Sequence, residues 1–192
     1  MYILTRIINA FIFADIASAC YKRVKRPEPP PIPISRAAGD FIASILLELV
    51  FVVQTVLVAY LPLPGVATVV VFVHKSLLNA LYSFEYFWMS SGVSLKTRIS
   101  RVEERWPFFL GFGAPLTVLT SLSENPIMQG CIFGALFPLF IISSYDADWK
   151  GASLGDAARL VPALSIFLPS RLVTDKLSLY VSEKLTGQPI RR

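Results

Sequence analysis

The sequence predicts an all-α fold, a multi-pass transmembrane bundle of two helix hairpins with flanking amphipathic helices. Three observations carry that expectation. Of 192 residues, 54% are apolar and only 16% charged, against about a quarter charged in average globular chains. The mean hydropathy is +0.59, and the apolar residues come in runs long enough to cross a bilayer. Turns rich in Pro and Gly separate those runs. Extensive disorder and a soluble enzyme are both disfavoured, and the length suits one small membrane domain.

Residues 1–20 read as an amphipathic, membrane-associated helix. Ile3, Leu4, Ile7, Ile8, Phe11 and Ile12 share one face, with Thr5, Arg6 and Asn9 opposite, so the segment lies in the interface or packs on the bundle, and a full span fits it less well. A signal peptide is a poor fit, because Arg6, Asn9 and Asp15 interrupt the run and the basic cluster follows it. Residues 21–39 form a basic linker. Pro27, Pro29, Pro30, Pro31 and Pro33 favour extended polyproline geometry there, either as a spacer or as a PxxP ligand through Pro30 and Pro33.

Residues 40–145 are the membrane domain, with about four helices. Phe41 to Leu61 is the first span, and Pro62, Pro64 and Gly65 end it. Val66 to about Trp88 returns, with Tyr82, Tyr86 and Trp88 as an aromatic belt at its exit. A polar loop from Ser90 to Arg105 follows. Trp106–Leu122 and Ile127–Ser144 make a second hairpin around Ser123–Pro126, loosened by Gly111, Gly113, Pro115 and Pro138. It either crosses fully or re-enters from one leaflet. Residues 146–192 hold an amphipathic stretch near Leu154–Leu168 and a basic, cytosolic tail.

Charge placement gives an orientation. Of 18 Lys+Arg, five lie in Lys22–Arg36, four in Lys96–Arg105 and seven after Ser144, whereas the turns at Leu61–Gly65 and Ser123–Pro126 hold none. Basic loops therefore face the cytosol and both bare turns the lumen or exterior. Loop charge of this kind accounts for the net charge of +5 without nucleic acid, and makes anionic lipids candidate partners beside the bilayer itself. The two cysteines, Cys20 and Cys131, support no disulfide framework. Cys20, next to the basic stretch, is either a palmitoylation site or a plain thiol.

Glu48, Gln54, His74, Lys75 and Glu85 fall within or at the ends of the first two spans. A charge near the bilayer centre costs about 2.5–3.5 kcal/mol and needs a partner or water. Counting from the Pro62–Gly65 turn puts Glu48 about 21 Å deep and Lys75 about 15 Å deep, which predicts an intramembrane Glu48–Lys75 pair beside His74. Its roles are a structural clasp or part of an ion pathway. One histidine and two isolated cysteines make no zinc site, and no phosphate-binding glycine loop or nucleophile elbow is present. No cofactor is expected, and nothing in the chain asks for catalysis.

Several long blocks are familiar. Leu81-Tyr82-Ser83-Phe84-Glu85-Tyr86-Phe87-Trp88 resembles a signature of the etoposide-induced protein 2.4 family. Arg105-Trp106-Pro107-Phe108-Phe109-Leu110-Gly111-Phe112-Gly113-Ala114-Pro115-Leu116 and Gly130-Cys131-Ile132-Phe133 through Leu136-Phe137-Pro138-Leu139-Phe140 are similar to further blocks, in one consistent order. Glu85, Trp106, Pro107, Gly111, Gly113, Pro115 and Pro138 are then the structural residues of those motifs. Family members are longer at the N-terminus, so the chain looks like the C-terminal part of one. The resemblance implies a multi-pass protein of the endoplasmic-reticulum membrane that acts in autophagosome maturation and autolysosomal degradation. It also implies links to growth suppression and apoptosis, and protein partners from the autophagy or apoptosis machinery. The family is distantly similar to CysZ-type sulfate permeases, which leaves an anion or small-solute permease as the alternative. That alternative draws on the buried Glu48, His74 and Lys75 and on half-helix N-termini around Gly111, Gly113 and Pro115, where backbone N–H groups bind anions.

Overall fold

A computed structural model describes residues 2–23, 34–148 and 162–176. Six helices, α1 Tyr2–Arg23, α2 Ile34–Ala59, α3 Pro64–Ser90, α4 Leu95–Glu104, α5 Trp106–Ser121 and α6 Pro126–Asp146, are followed by a short α7 over 168–176. Gly39–Ala59, Gly65–Ser90 and Pro126–Asp146 are long and apolar enough to cross a membrane. At 16 residues, α5 reaches about 24 Å, short of the roughly 30 Å of hydrocarbon.

Proline sets several helix starts. Pro64 opens α3, Pro107 lies in the first turn of α5 and Pro126 opens α6, positions where a missing N–H and a fixed φ cost nothing. Asn125 caps α6 by accepting the Ile127 N–H at 2.9 Å. The linker stops earlier than its composition predicts: α2 begins at Ile34, directly after Pro33, because no later residue forbids a helix. The polyproline run itself, most of the 154–168 stretch and the basic end lie outside the described residues.

The Ser90–Arg105 loop is in fact largely α4. Leu95, Ile99 and Val102 fall on one face at helical spacing, and Ile99 and Val102 are buried. Gly92 adopts φ 70°, the left-handed conformation that glycine takes without a Cβ clash. Its N–H and those of Ser91 and Val93 close on Met89, Phe87 and Trp88 carbonyls, which turns the chain and lays α4 back against the end of α3.

At the centre, α3 packs against α1, α2, α4, α5 and α6. Its aromatic residues build the core: Phe84 lies 5.1 Å from Phe109 and 4.9 Å from Phe112 between ring centroids, and Trp88 is 5.8 Å from Phe109. On the other side Phe13 of α1 meets Phe137 of α6 at 5.3 Å and Tyr86 at 6.4 Å. α1 therefore packs on the bundle, one of the two placements its amphipathic pattern permits.

The α3–α5 crossing is the tightest. A Cβ added at Gly113 would stand 1.9 Å from the Ser76 carbonyl oxygen, so only glycine lets these backbones approach. Around it the Ser76 hydroxyl donates to Thr117 Oγ1 at 3.1 Å, and Asn79 Nδ2 donates to the same oxygen at 2.9 Å. Pro115 and Pro138 sit inside α5 and α6 without ending them. α5 runs antiparallel to α3, and this register brings Ser121 level with about residue 72. The tip of the second hairpin thus stops about 10 Å short of the α2–α3 turn along the α3 axis.

Candidate functional site: two buried polar networks

The first network lies toward the basic-loop end. Ser44 and Glu48 are one helical turn apart on α2 and face α3 together; Glu48 is fully buried, and Ser44, Glu85 and Arg98 nearly so. The Ser44 hydroxyl donates to Glu85 across the α2–α3 interface and lies 3.4 Å from Glu48 Oε1. From α4, Arg98 reaches in: Nη1 is 3.4 Å from Glu85 Oε1, and Nε donates to the Val93 carbonyl at 2.7 Å. Burial pushes the Arg98 guanidinium down from its ordinary range, while the Glu85, Asp40 and Glu48 carboxylates hold it up. The turn at Gly92 is what places this arginine over the two acidic helices.

The second network lies deeper, closer to the α2–α3 turn. His74 Nδ1 is 2.8 Å from the Val70 carbonyl, which can only accept, so Nδ1 carries the proton. Nε2 then accepts from the Gln54 amide at 3.1 Å. The same amide donates to the Ile166 carbonyl at 3.0 Å, and Gln54 Oε1 accepts the Ser170 hydroxyl at 2.8 Å. Phe51 stacks on His74 at 5.1 Å and on Phe167 at 4.4 Å. The tail segment thus folds back along the first hairpin, with Phe167 and Ser170 fully buried.

Glu103 of α4 clamps the start of that segment. Its carbonyl accepts the Leu164 N–H at 3.0 Å and its carboxylate the Phe167 N–H at 3.1 Å, with Arg171 Nη1 3.5 Å away. Trp106 Nε1 adds a bond to the Pro162 carbonyl at 3.2 Å. Burial pushes the Glu103 carboxyl above its usual range, against the lowering pull of the Phe167 N–H and Arg171.

The structure does not bring Glu48 and Lys75 together. Glu48 is buried beside Ser44 and within electrostatic reach of Arg98, whereas Lys75 is exposed. The bridges Ser44–Glu85 and Gln54–His74 fix one antiparallel register, in which Glu48 lies opposite Ala80 and Leu81. Lys75 is more than a helical turn away and about 100° around α3 from the inward-facing His74. Depth alone predicted the pair; rotation removes it. Of the motif residues, Glu85 joins the first network, Trp106 anchors the tail and Gly113 makes the close crossing. Gly111, Pro107 and Pro115 are exposed and Pro138 half-buried. α5 is continuous through Gly111, Gly113 and Pro115, so the half-helix termini expected there are not formed. Arg98, Glu103 and the tail were missed; the Leu95/Ile99/Val102 spacing was the available signal for the first two. Among the described residues no group of three or more His, Cys, Asp or Glu converges as metal ligands.

Comparison with known proteins gives a family. The profile "Sulfate transporter CysZ/Etoposide-induced protein 2.4" matches residues 1–123. The chain is 41% identical over 150 residues to "Ectopic P granules protein 4" of Caenorhabditis elegans, covering 78% of this chain and 48% of that protein. It is 34% identical over 128 residues to "Protein EI24 homolog" of Arabidopsis thaliana, with 61% and 39% covered. To "Protein EI24 homolog" of Dictyostelium discoideum it is 30% identical over 157 residues, with 77% and 48% covered. The chain thus spans about half or less of the length of these curated relatives. No solved structure matches.

Proposed function

We propose, from the premise that this chain belongs to the sulfate transporter CysZ/etoposide-induced protein 2.4 family, that it is a multi-pass protein of the endoplasmic-reticulum membrane acting in autophagy. In this reading it is a scaffold or regulator of autophagosome maturation and autolysosomal degradation, with no enzymatic step. The family match over residues 1–123 carries the proposal.

The geometry favours a scaffold over a conduit. Among the described residues, the polar side chains of the two networks are bonded to one another, to α4 and to the tail, an arrangement that supports a clasp between elements. Of the two supports for the anion-permease alternative, the broken helix ends around Gly111 and Gly113 are not formed, because α5 runs unbroken there. Of Glu48, His74 and Lys75, expected to be buried, Lys75 is exposed. With basic loops in the cytosol, α4 and the segment clamped on it form the face that protein partners of the autophagy or apoptosis machinery meet. The basic loops hold anionic lipids.

The test is rescue in cells lacking the endogenous relative, following turnover of an autophagic cargo. Restored turnover by the chain, or by an N-terminally extended version, supports the reading. Failure of both, with anion flux from the reconstituted protein, replaces it with the permease.

A further inference from the structure

We infer that the cleft between α1 and the α2–α3 hairpin is a binding site for one anionic phospholipid, with an acyl chain in the cleft and the phosphate at Lys22. The cleft holds about 370 Å³ and is lined by Ala14, Ala17, Lys22, Phe41, Glu85 and Met89, among others. That volume is in the range of small-molecule sites, which are mostly apolar with a few placed polar groups.

Its shape follows from α1. Ala14, Ala17, Ser18, Tyr21 and Lys22 line it, and the small residues at 14, 17 and 18 leave a channel where larger side chains would fill the gap. Ala14 to Lys22 spans about 12 Å along the helix, room for most of one acyl chain. Ala14, Ser18 and Lys22 are exposed on its rim, so a chain can enter from the side.

The channel is also oriented. Phe13 meets Tyr86 and Phe137, deep in the bundle, whereas Lys22, in the last turn of α1, lines the cleft together with Met89 and Ser90, the last residues of α3. Its apolar part therefore points into the membrane and its cationic mouth lies at the basic end, where a lipid presents its phosphate. Glu85 also lines the cleft, but its carboxylate is engaged by Ser44 and Arg98. Lys22 is then the charged group that faces an occupant. Cationic pockets between membrane helices hold anionic headgroups in this way. The inference needs only that the bundle is embedded in lipid, and stands apart from the autophagy reading.

Native mass spectrometry of the full chain, released from nanodiscs of equimolar phosphatidylserine and phosphatidylcholine, tests it. One phosphatidylserine is expected to stay bound per chain. Ala17→Trp fills the channel and is expected to abolish retention. Ser18→Trp, at the exposed rim, blocks the same channel without entering the packed α1 interface. Lys22→Glu is expected to lower phosphatidylserine retention by at least about fivefold, the contribution of one well-placed lysine, and to leave phosphatidylcholine unchanged. Leu57→Trp on the exposed face of α2 changes neither. Retention in Ser18→Trp equal to that in Leu57→Trp overturns the site, and a phosphatidylserine preference that survives Lys22→Glu overturns the assignment of the phosphate.

Discussion

Gly113 and Gly111 are two residues apart on one helix and have opposite prospects. A methyl group at Gly113 would stand on the Ser76 carbonyl, while nothing lies within 4 Å of one at Gly111. Gly113→Ala is expected to lower stability by about 1–3 kcal/mol, the usual cost of overfilling a packed contact. Gly111→Ala is expected to raise it by up to about 1 kcal/mol through helix propensity. Unfolding of the two variants in mixed micelles separates them. Arg98 presents a different balance, since removing it takes a buried guanidinium away from the Glu85 carboxylate. Arg98→Ala is expected to cost about 3–5 kcal/mol in the same assay, and more than Arg101→Ala, whose side chain lies only partly buried over the Trp88 ring at 5.9 Å.

Elements show where sequence reasoning reaches and where it stops. The first hairpin was legible because Pro62, Pro64 and Gly65 interrupt a long apolar run, and its observed ends lie within a few residues of those expected, apart from the earlier start at Ile34. α4 was not, since three apolar positions among charges give a helix little weight until α3 is there to bury them. The tail's docking was illegible for a different reason: the bonds from Ser170 and Ile166 to Gln54 cross 116 and 112 residues, and no local pattern encodes such a distance. Its clamp should respond to pH. A carboxyl raised in the folded state, as Glu103 is by burial, contributes stability that is fully present below its unfolded value of about 4.3. That stability is lost as pH rises through the raised folded value. Acidification from neutral pH is therefore expected to stabilise the docked tail, and Glu103→Gln to flatten the dependence. Glu103→Ala, which removes the acceptor for Phe167 N–H, is expected to cost about 1–2 kcal/mol. Thermal unfolding in detergent across that pH range reads all three.

For the whole molecule, the unequal hairpins predict an unequal topology. The α2–α3 turn lies at the far end of two spanning helices, while the second hairpin stops about 10 Å short of it. A glycosylation acceptor inserted in the Leu61–Pro64 turn is expected to be modified in the lumen, and one at Ser123–Asn125 to be left unmodified. Equal modification of both would show that the second hairpin crosses fully.

The docked tail also has a consequence for the order of assembly. α2 and α3 leave the ribosome long before the residue that completes their polar contact, because Gln54 waits 116 residues for Ser170. At translation rates of about 5–20 residues per second, that interval is on the order of 10 s. For that time the first hairpin sits in the membrane with the Gln54 carbonyl lacking its native donor. A chain stopped before 170 never supplies that donor, so truncated molecules keep this amide oxygen without the bond that finished ones make.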